Sequence, residues 1–268
     1  MKKFDVTALG ELLVDFTENG MSAQGNPLLE ANPGGAPCNV LSMLQNLGKK
    51  TAFIGKVGAD MFGTMLTQAV KDQGINIDNL VTDDTVHTTL AFVHTGLDGD
   101  RDFSFYRNPG ADMMLREEEI QQEIFADTKI FHFGTLSMTD LRMEQVTKHA
   151  VKKAKEQGAV ISFDPNLRPP LWKKLGDAAD KMWYGISQCD ILKISDDEIS
   201  FLTGTADIDQ GIGKIMEQYC PALICATMGK DGSKAYYKGK SVYAEPFLQK
   251  NTIETTGAGD TFMACILN

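Results

Sequence analysis

Apolar residues along this chain follow two rhythms, and each change of rhythm marks an element. Phe4–Leu9 reads as a strand of a buried sheet, and residues 12–16 continue extended before a loop rich in Gly, Asn and Ser. Within 39–47, Val40, Leu41, Met43, Leu44 and Leu47 fall at helical spacing, and Gly48 stops the run. Residues 51–57 form a buried strand, after which Met61, Phe62, Met65, Leu66, Ala69 and Val70 mark a helix closing near Gly74. Two strands, 88–94 and 102–107, flank Gly96-Leu97-Asp98-Gly99-Asp100 as a hairpin. Beyond this point strands at 130–133, 159–163, 189–194 and 222–227 alternate with helices at 142–157, 178–186, 198–202 and 210–219. A second hairpin spans 233–246, and an apolar helix follows Asp260. Alternating β and α units predict an α/β protein with a doubly wound, mainly parallel sheet. The early strands that lack intervening helices predict a small separate sheet set into the larger domain.

Composition narrows the class. The chain has 268 residues and a formal net charge of −10, which argues against nucleic-acid and anionic-membrane partners. Its five cysteines are scattered and lack C-x-x-C spacing, as expected of reduced thiols. There is no signal-type run and no membrane-length apolar stretch, so a cytoplasmic protein is expected.

Candidate chemistry gathers at glycine-rich strand exits. Thr255-Thr256-Gly257-Ala258-Gly259-Asp260 delivers a turn onto the N-terminus of the last helix, where bare backbone N–H groups favour an anion. Asp260 repels a phosphate, so it is either a helix cap or a base aimed at another group. Three familiar phosphate devices are excluded. A Walker A loop would need glycine at Lys234, five residues before Gly239-Lys240-Ser241. A Rossmann fingerprint would need glycine where Phe262 stands. The protein-kinase motifs are missing. What remains is Asn32-Pro33-Gly34-Gly35-Ala36-Pro37-Cys38-Asn39, Asp15 at a strand end, Asp164-Pro165-Asn166-Leu167-Arg168, and Thr227-Met228-Gly229-Lys230-Asp231-Gly232. A carboxylate and an amide beside two glycines suit a polyhydroxylated ligand, although a solvated strand end and an ordinary N-cap would read the same.

Together these segments resemble the ribokinase-like (PfkB-type) carbohydrate kinases. The N-terminal signature of that family matches Pro33 to Asn39 with Gly55, Gly58, Asp60 and Gly63, and its C-terminal signature matches Thr255 to Asp260. Phe105 to Asp112, Phe163 to Trp172 and Lys193 to Glu198 lean toward the fructokinases within it, though 2-keto-3-deoxygluconate kinases share much of this. The resemblance implies a three-layer α/β/α domain over 1–268, with lid strands within about 10–32 and 86–108. It implies Asp260 as base, with Gly257, Ala258 and Gly259 as the anion hole. Asp15, Gly34, Gly35, Asn39, Tyr106, Arg107, Asn166 and Arg168 would meet the sugar. Lys193, Ser195, Thr227, Gly229 and Gly232, with Gly257 and Gly259, would line ATP, and Glu198 would organise Mg²⁺ through water.

The resemblance leaves K⁺ open, because relatives carry Asp where this chain has Glu254, a position tied to a monovalent-cation site. It also leaves open a ribokinase-type specificity, a homodimer through the lid sheet, and a catalytically inactive sugar-binding regulator. A dinucleotide oxidoreductase is disfavoured by the motifs. The last helix stops two turns past Asp260, so the sequence reads as a truncated chain whose adenine pocket would be incomplete.

Overall fold

The computed structural model describes residues 2–95, 101–248 and 257–268. The first half runs β1 (Phe4–Leu9), β2 (Leu13–Met21), β3 (Pro27–Gly34), α1 (Ala36–Asn46), β4 (Thr51–Gly58), α2 (Met61–Asp72) and β5 (Asn76–Asp83). Then come β6 (Leu90–Thr95), β7 (Arg101–Tyr106), α3 (Glu123–Ala126), β8 (Thr128–Phe133), α4 (Leu141–Glu156) and β9 (Val160–Phe163). The remainder is α5 (Leu175–Gln188), β10 (Ile191–Ser195), α6 (Asp196–Thr203), α7 (Ile208–Gln218), β11 (Leu223–Thr227), β12 (Ser233–Tyr237), β13 (Lys240–Ala244) and α8 (Ala258–Leu267).

Nine strands form one sheet in the order β13-β12-β11-β10-β9-β8-β1-β4-β5, parallel from β11 through β5. Only β12 and β13 are antiparallel, as a hairpin on one edge. Alternation along the strands divides the core between the two faces. Val6, Ala8 and Phe53 pack with Leu41 and Leu44 of α1, Leu66 of α2 and Met263 of α8. Leu9, Phe131, Phe133 and Phe163 pack with Val151 of α4, Ile186 of α5 and Ile215 of α7. The result is the expected α/β/α sandwich. Strand order reverses about β1, so loops leaving β1 and β8 diverge and open a crevice at their C-terminal ends.

A second sheet, β3-β2-β6-β7, stands apart from the first. Its root is tied down by Asp60, which caps α2 through Gly63 N at 2.8 Å and also accepts from Thr88 N and Thr88 Oγ1, both at 2.8 Å. The family-like glycines and aspartate around 55–63 are therefore placed at the junction of core and lid.

Some elements differ from the sequence reading. The stretch that periodicity reads as a loop after Phe16, and to which the resemblance gives lid strands, pairs as the β2–β3 hairpin, whose outer half is exposed and so carries no alternating signal. β5 is an edge strand of weak amphipathic pattern and went unread. Helix α1 starts at Ala36 rather than Asn39, with Gly35 as N-cap and Pro37 in its first turn, a position proline favours. The expected hairpin turn at 96–100 lies outside the described residues.

Gly185 of α5 tests the packing of this core. A methyl there would collide with the buried Phe163 ring. Gly185→Ala should lose about 1–2 kcal/mol in urea unfolding, since overpacking outweighs the better helix propensity of alanine. Gly176→Ala, in the same helix with nothing within 4 Å of the added methyl, should lose nothing.

Candidate active site

Four strand exits converge on one cleft of about 720 Å³ at the C-terminal edge of the large sheet. The exit of β1 gives Glu11, that of β9 gives Asn166 and Arg168, and those of β10 and β11 give Lys193, Ser195 and Thr227. The N-termini of α1 and α8 complete the floor, and Asp15 and Phe105 of the lid form the roof.

Asp260 sits in the first turn of α8 and is only 6 % exposed. Asn39 Nδ2 of α1 donates to its Oδ2 at 2.9 Å, and Asn166 Nδ2 donates to its Oδ1 at 3.3 Å. Burial pushes the Asp260 carboxyl up, against the pull of the Asn39 hydrogen bond and of the Lys193 and Arg168 charges. Asn39, expected on the sugar, lines the cleft and also steadies the aspartate through its amide NH₂. Gly257 caps α8 in the left-handed conformation (φ 78°) without any side-chain hydrogen bond to the N-terminus. Among the described residues no side chain accepts from the first-turn N–H groups, and Gly257, Gly259 and Asp260 line the cleft, as an anion site requires.

A lysine lies beneath this turn. A Cβ on Gly259 would come within 3.1 Å of Lys193 Nζ, so a side chain there would push the ammonium back from the backbone cradle by a few tenths of an ångström. Lys193 pairs with Asp164, 3.2 Å from Oδ1 by hydrogen bond and 3.0 Å from Oδ2 as an ion pair out of hydrogen-bonding alignment. Burial alone would favour neutral lysine, but Asp164, Glu198 and Asp260 outweigh it and raise the Lys193 pKa. Burial likewise pushes the Asp164 carboxyl up to about 7, with Lys193 opposing and Glu198 and Asp260 reinforcing.

Glu198 is buried at the start of α6, where it forms a capping box with Ser195. Its Oε2 accepts from Ser195 N and its Oε1 from Leu167 N, both at 2.8 Å, so it ties the exits of β9 and β10 together. The adjacent 164–168 loop is pinned by Thr135, whose Oγ1 donates to Pro165 O at 2.6 Å. Asn166 adopts φ 48° there, a conformation asparagine tolerates.

The double glycine is sterically required. A side chain on Gly34 would strike the Asp15 carboxylate, and one on Gly35 (φ 116°) would strike the Glu11 carbonyl. Three expected residues fall elsewhere. Register pairs Asp15 with Ala91 and Ala91 with Phe105, so Phe105 shares the cleft-facing side with Asp15. Tyr106 is on the other side, edge-on to Phe92 and largely exposed. Arg107 is buried, with two nitrogens on Asp112 at 2.6 and 2.8 Å, NH1 on Thr139 at 2.9 Å and NH2 also on Leu136 O at 2.9 Å. Four of its five N–H donors are committed to the lid root, and it does not line the cleft. Gly232 closes the turn into β12, where a side chain would strike Ala244 O; Thr227 and Gly229 do line the cleft. Glu254, Thr255 and Thr256 lie outside the described residues.

Glu11, His132 and Phe105 were not anticipated. Glu11 is 3 % exposed and its Oε1 accepts from Ala36 N at 2.9 Å, which holds the first helical residue after Gly35. Burial pushes its carboxyl up to about 7. His132 hydrogen-bonds Ser162 Oγ at 2.9 Å, and burial next to Lys193 lowers its pKa to about 3, so it is neutral. Lone polar residues inside apolar runs were the available signal for the first two. Phe105 depends on cross-strand register, which no local pattern encodes.

A buried carboxylate beside an uncapped helix N-terminus and a buried lysine, in a cleft under a β lid, defines a phosphotransferase acting on a hydroxyl. The pfkB family carbohydrate kinase profile matches residues 3–268, and the chain belongs to that family. Probable fructokinase-2 of Arabidopsis thaliana is 40% identical over 98% of this chain and 80% of its own length. A crystal structure of fructokinase with bound ATP from Xylella fastidiosa superposes with a TM-score of 0.89 at 33% identity, covering 100% of this chain and 81% of that one. A fructokinase double mutant from Vibrio cholerae O395, with fructose, ADP and potassium ion bound, gives 0.88 at 27% identity, covering 100% and 84%.

The raised acids have a consequence for stability. Glu11 keeps its proton in the folded state up to about pH 7 and loses it near its ordinary 4.5 when unfolded. The folded state therefore binds more protons between these values, and this contribution falls as pH rises through the window, by on the order of 3 kcal/mol in full. Urea unfolding of Glu11→Gln should show a shallower decline between pH 5 and pH 7 than the wild type.

Proposed function

We propose that the protein is an ATP-dependent fructokinase, transferring the γ-phosphoryl group to the primary hydroxyl of fructose to give fructose 6-phosphate. The observation that carries this reading is the buried Asp260, aimed by Asn39 and Asn166 at the junction of the lid-covered pocket and the α8 N-terminus. Asp260 takes the hydroxyl proton as the oxygen attacks phosphorus. The N–H groups of Gly257, Ala258, Gly259 and Asp260 receive the charge that spreads over the transferring oxygens, with the Lys193 ammonium beneath them. Asp15, Gly34 and Gly35 hold the sugar hydroxyls, and Phe105 covers an apolar side of the ring. Arg168 meets the phosphate side, while Ser195, Thr227 and Gly229 line the nucleotide. Lid closure excludes water, which prevents idle hydrolysis of ATP.

Among the described residues no cluster of three or more His, Cys, Asp or Glu could hold a metal directly. That fits Mg²⁺, which keeps its waters and binds mainly to substrate phosphates, with Glu198 on one of those waters. Mg²⁺ would neutralise phosphate charge. K⁺ is a further candidate cofactor, by likeness to the potassium-bound Vibrio enzyme. The reading includes a cytoplasmic location, supported by five free cysteines, and a homodimer through β3, where Leu28 and Leu29 are exposed on an edge strand. Among the described residues no helix is long and apolar enough to cross a membrane.

A coupled ADP-release assay tests the whole. Fructose should stimulate Mg-dependent turnover above ribose and 2-keto-3-deoxygluconate, and Asp260→Asn should lower kcat by about 10³-fold with fructose KM little changed. Sugar binding without any ADP formed would sink the proposal. In the lid, Phe105→Ala should raise fructose KM about tenfold, and Tyr106→Ala by much less.

A further inference from the structure

Beneath the floor of the cleft lies a smaller chamber of about 10 Å³, bounded by Glu11, His132, Asp164, Asn166 and Asp260. That is room for one water, which needs two to four polar partners. The walls offer them. His132 uses Nδ1 on Ser162, and its other ring nitrogen has no hydrogen-bond partner among the described residues. Asp164 Oδ2 is buried and accepts no hydrogen bond, although Lys193 lies close. Glu11 and Asp260 border both chamber and cleft.

Asp260 must lose the hydroxyl proton before the next turnover, yet it is nearly enclosed and both its oxygens are held by amides. We infer that the chamber is the proton exit of the active site: one enclosed water passes the proton from Asp260 to the carboxylate of Glu11. This rests on the kinase reading above. The sugar O–H bond breaks as the new O–P bond forms, and ADP departs with the electron pair of the old P–O bond. The proton goes to Asp260, then to the water as that water gives one of its own to Glu11, and from Glu11 to solvent when the lid opens.

Glu11 is suited to the task by its surroundings. Its neighbours are Arg107 and Asp112 at the lid root, Cys38 and the Ala36 N–H of α1, His132 of β8, Asp164 and Asp260. Burial dominates this set and sets its titration at about 7, so at neutral pH the carboxylate accepts a proton and gives it up again. His132 stays neutral and cannot store the proton, though it can orient the water.

Glu11→Gln tests this directly, because glutamine still accepts from Ala36 N but cannot take up the proton. We expect kcat to fall about tenfold with both KM values within about twofold of wild type. The decline of wild-type kcat as pH drops through about 7 should disappear from the variant. A role confined to holding Gly35 and Ala36 would leave that decline in place, or raise KM alone, and either result overturns the inference. Wild-type protein supplies an independent measurement: in a lightly buffered single turnover at pH 8, an indicator dye should report proton release after ADP formation. Simultaneous release would overturn the inference even if the variant failed to fold. Wild-type protein that makes no fructose-dependent ADP would overturn the kinase reading itself, an outcome distinct from synchronous protons in an active enzyme.

Discussion

An ionisable carboxyl group taken out of water and bonded only to neutral amides is the constraint around which this molecule is arranged. Asp260 is held by Asn39 from one helix and Asn166 from a strand exit, while the compensating charges, Lys193 and Arg168, stay one step removed. A direct ion pair would make the carboxylate a weaker base. Complete isolation would keep it protonated. Amide partners keep it fixed in direction and basic at once. That arrangement needs three elements distant in sequence to meet within hydrogen-bonding reach, and the reversal of strand order about β1 is what brings them together.

The same logic explains why the site is lined by paired groups. Lys193 would be costly to bury alone, as would Asp164 or Glu198. Lys193 and Asp164 offset each other's charge, with Asp164 Oδ2 left without a hydrogen bond, and Glu198 accepts from the backbone N–H groups of Ser195 and Leu167. The bond from Leu167 N anchors the 164–168 loop, so the group expected to serve the metal also holds the loop that aims the base.

The lid is joined to the core by a separate polar cluster. Asp60 grips Thr88 on one side of its root, and Asp112 grips Thr89 and Arg107 on the other. Arg107 shows how an arginine within a recognisable motif can be misassigned. Phe105, two positions before it, faces the cleft, but the Arg107 guanidinium is taken up by Asp112, Thr139 and Leu136 at the lid root. Glu11 lies within the field of that cluster and also holds the start of α1, so the lid root and the substrate loop are parts of one electrostatic unit.

Much of this was legible before any coordinates. Periodicity marked most of the strands and helices of the large sheet, because buried elements must repeat their apolar residues every two or about 3.6 positions. Gly34, Gly35 and Gly257 to Asp260 could be picked out because close backbone approach and positive φ restrict a position to very few residue types. What sequence left open was decided by pairing in three dimensions. Register turned Phe105 inward and Tyr106 outward, the β2–β3 hairpin formed without an alternating pattern, and Arg107 found partners up to 32 positions away. Local chemistry limits what each residue can do. Which of those options is taken depends on neighbours that only the folded chain supplies, and burial then shifts the proton affinities of Glu11, Asp164 and Asp260, which no residue carries in its own side chain.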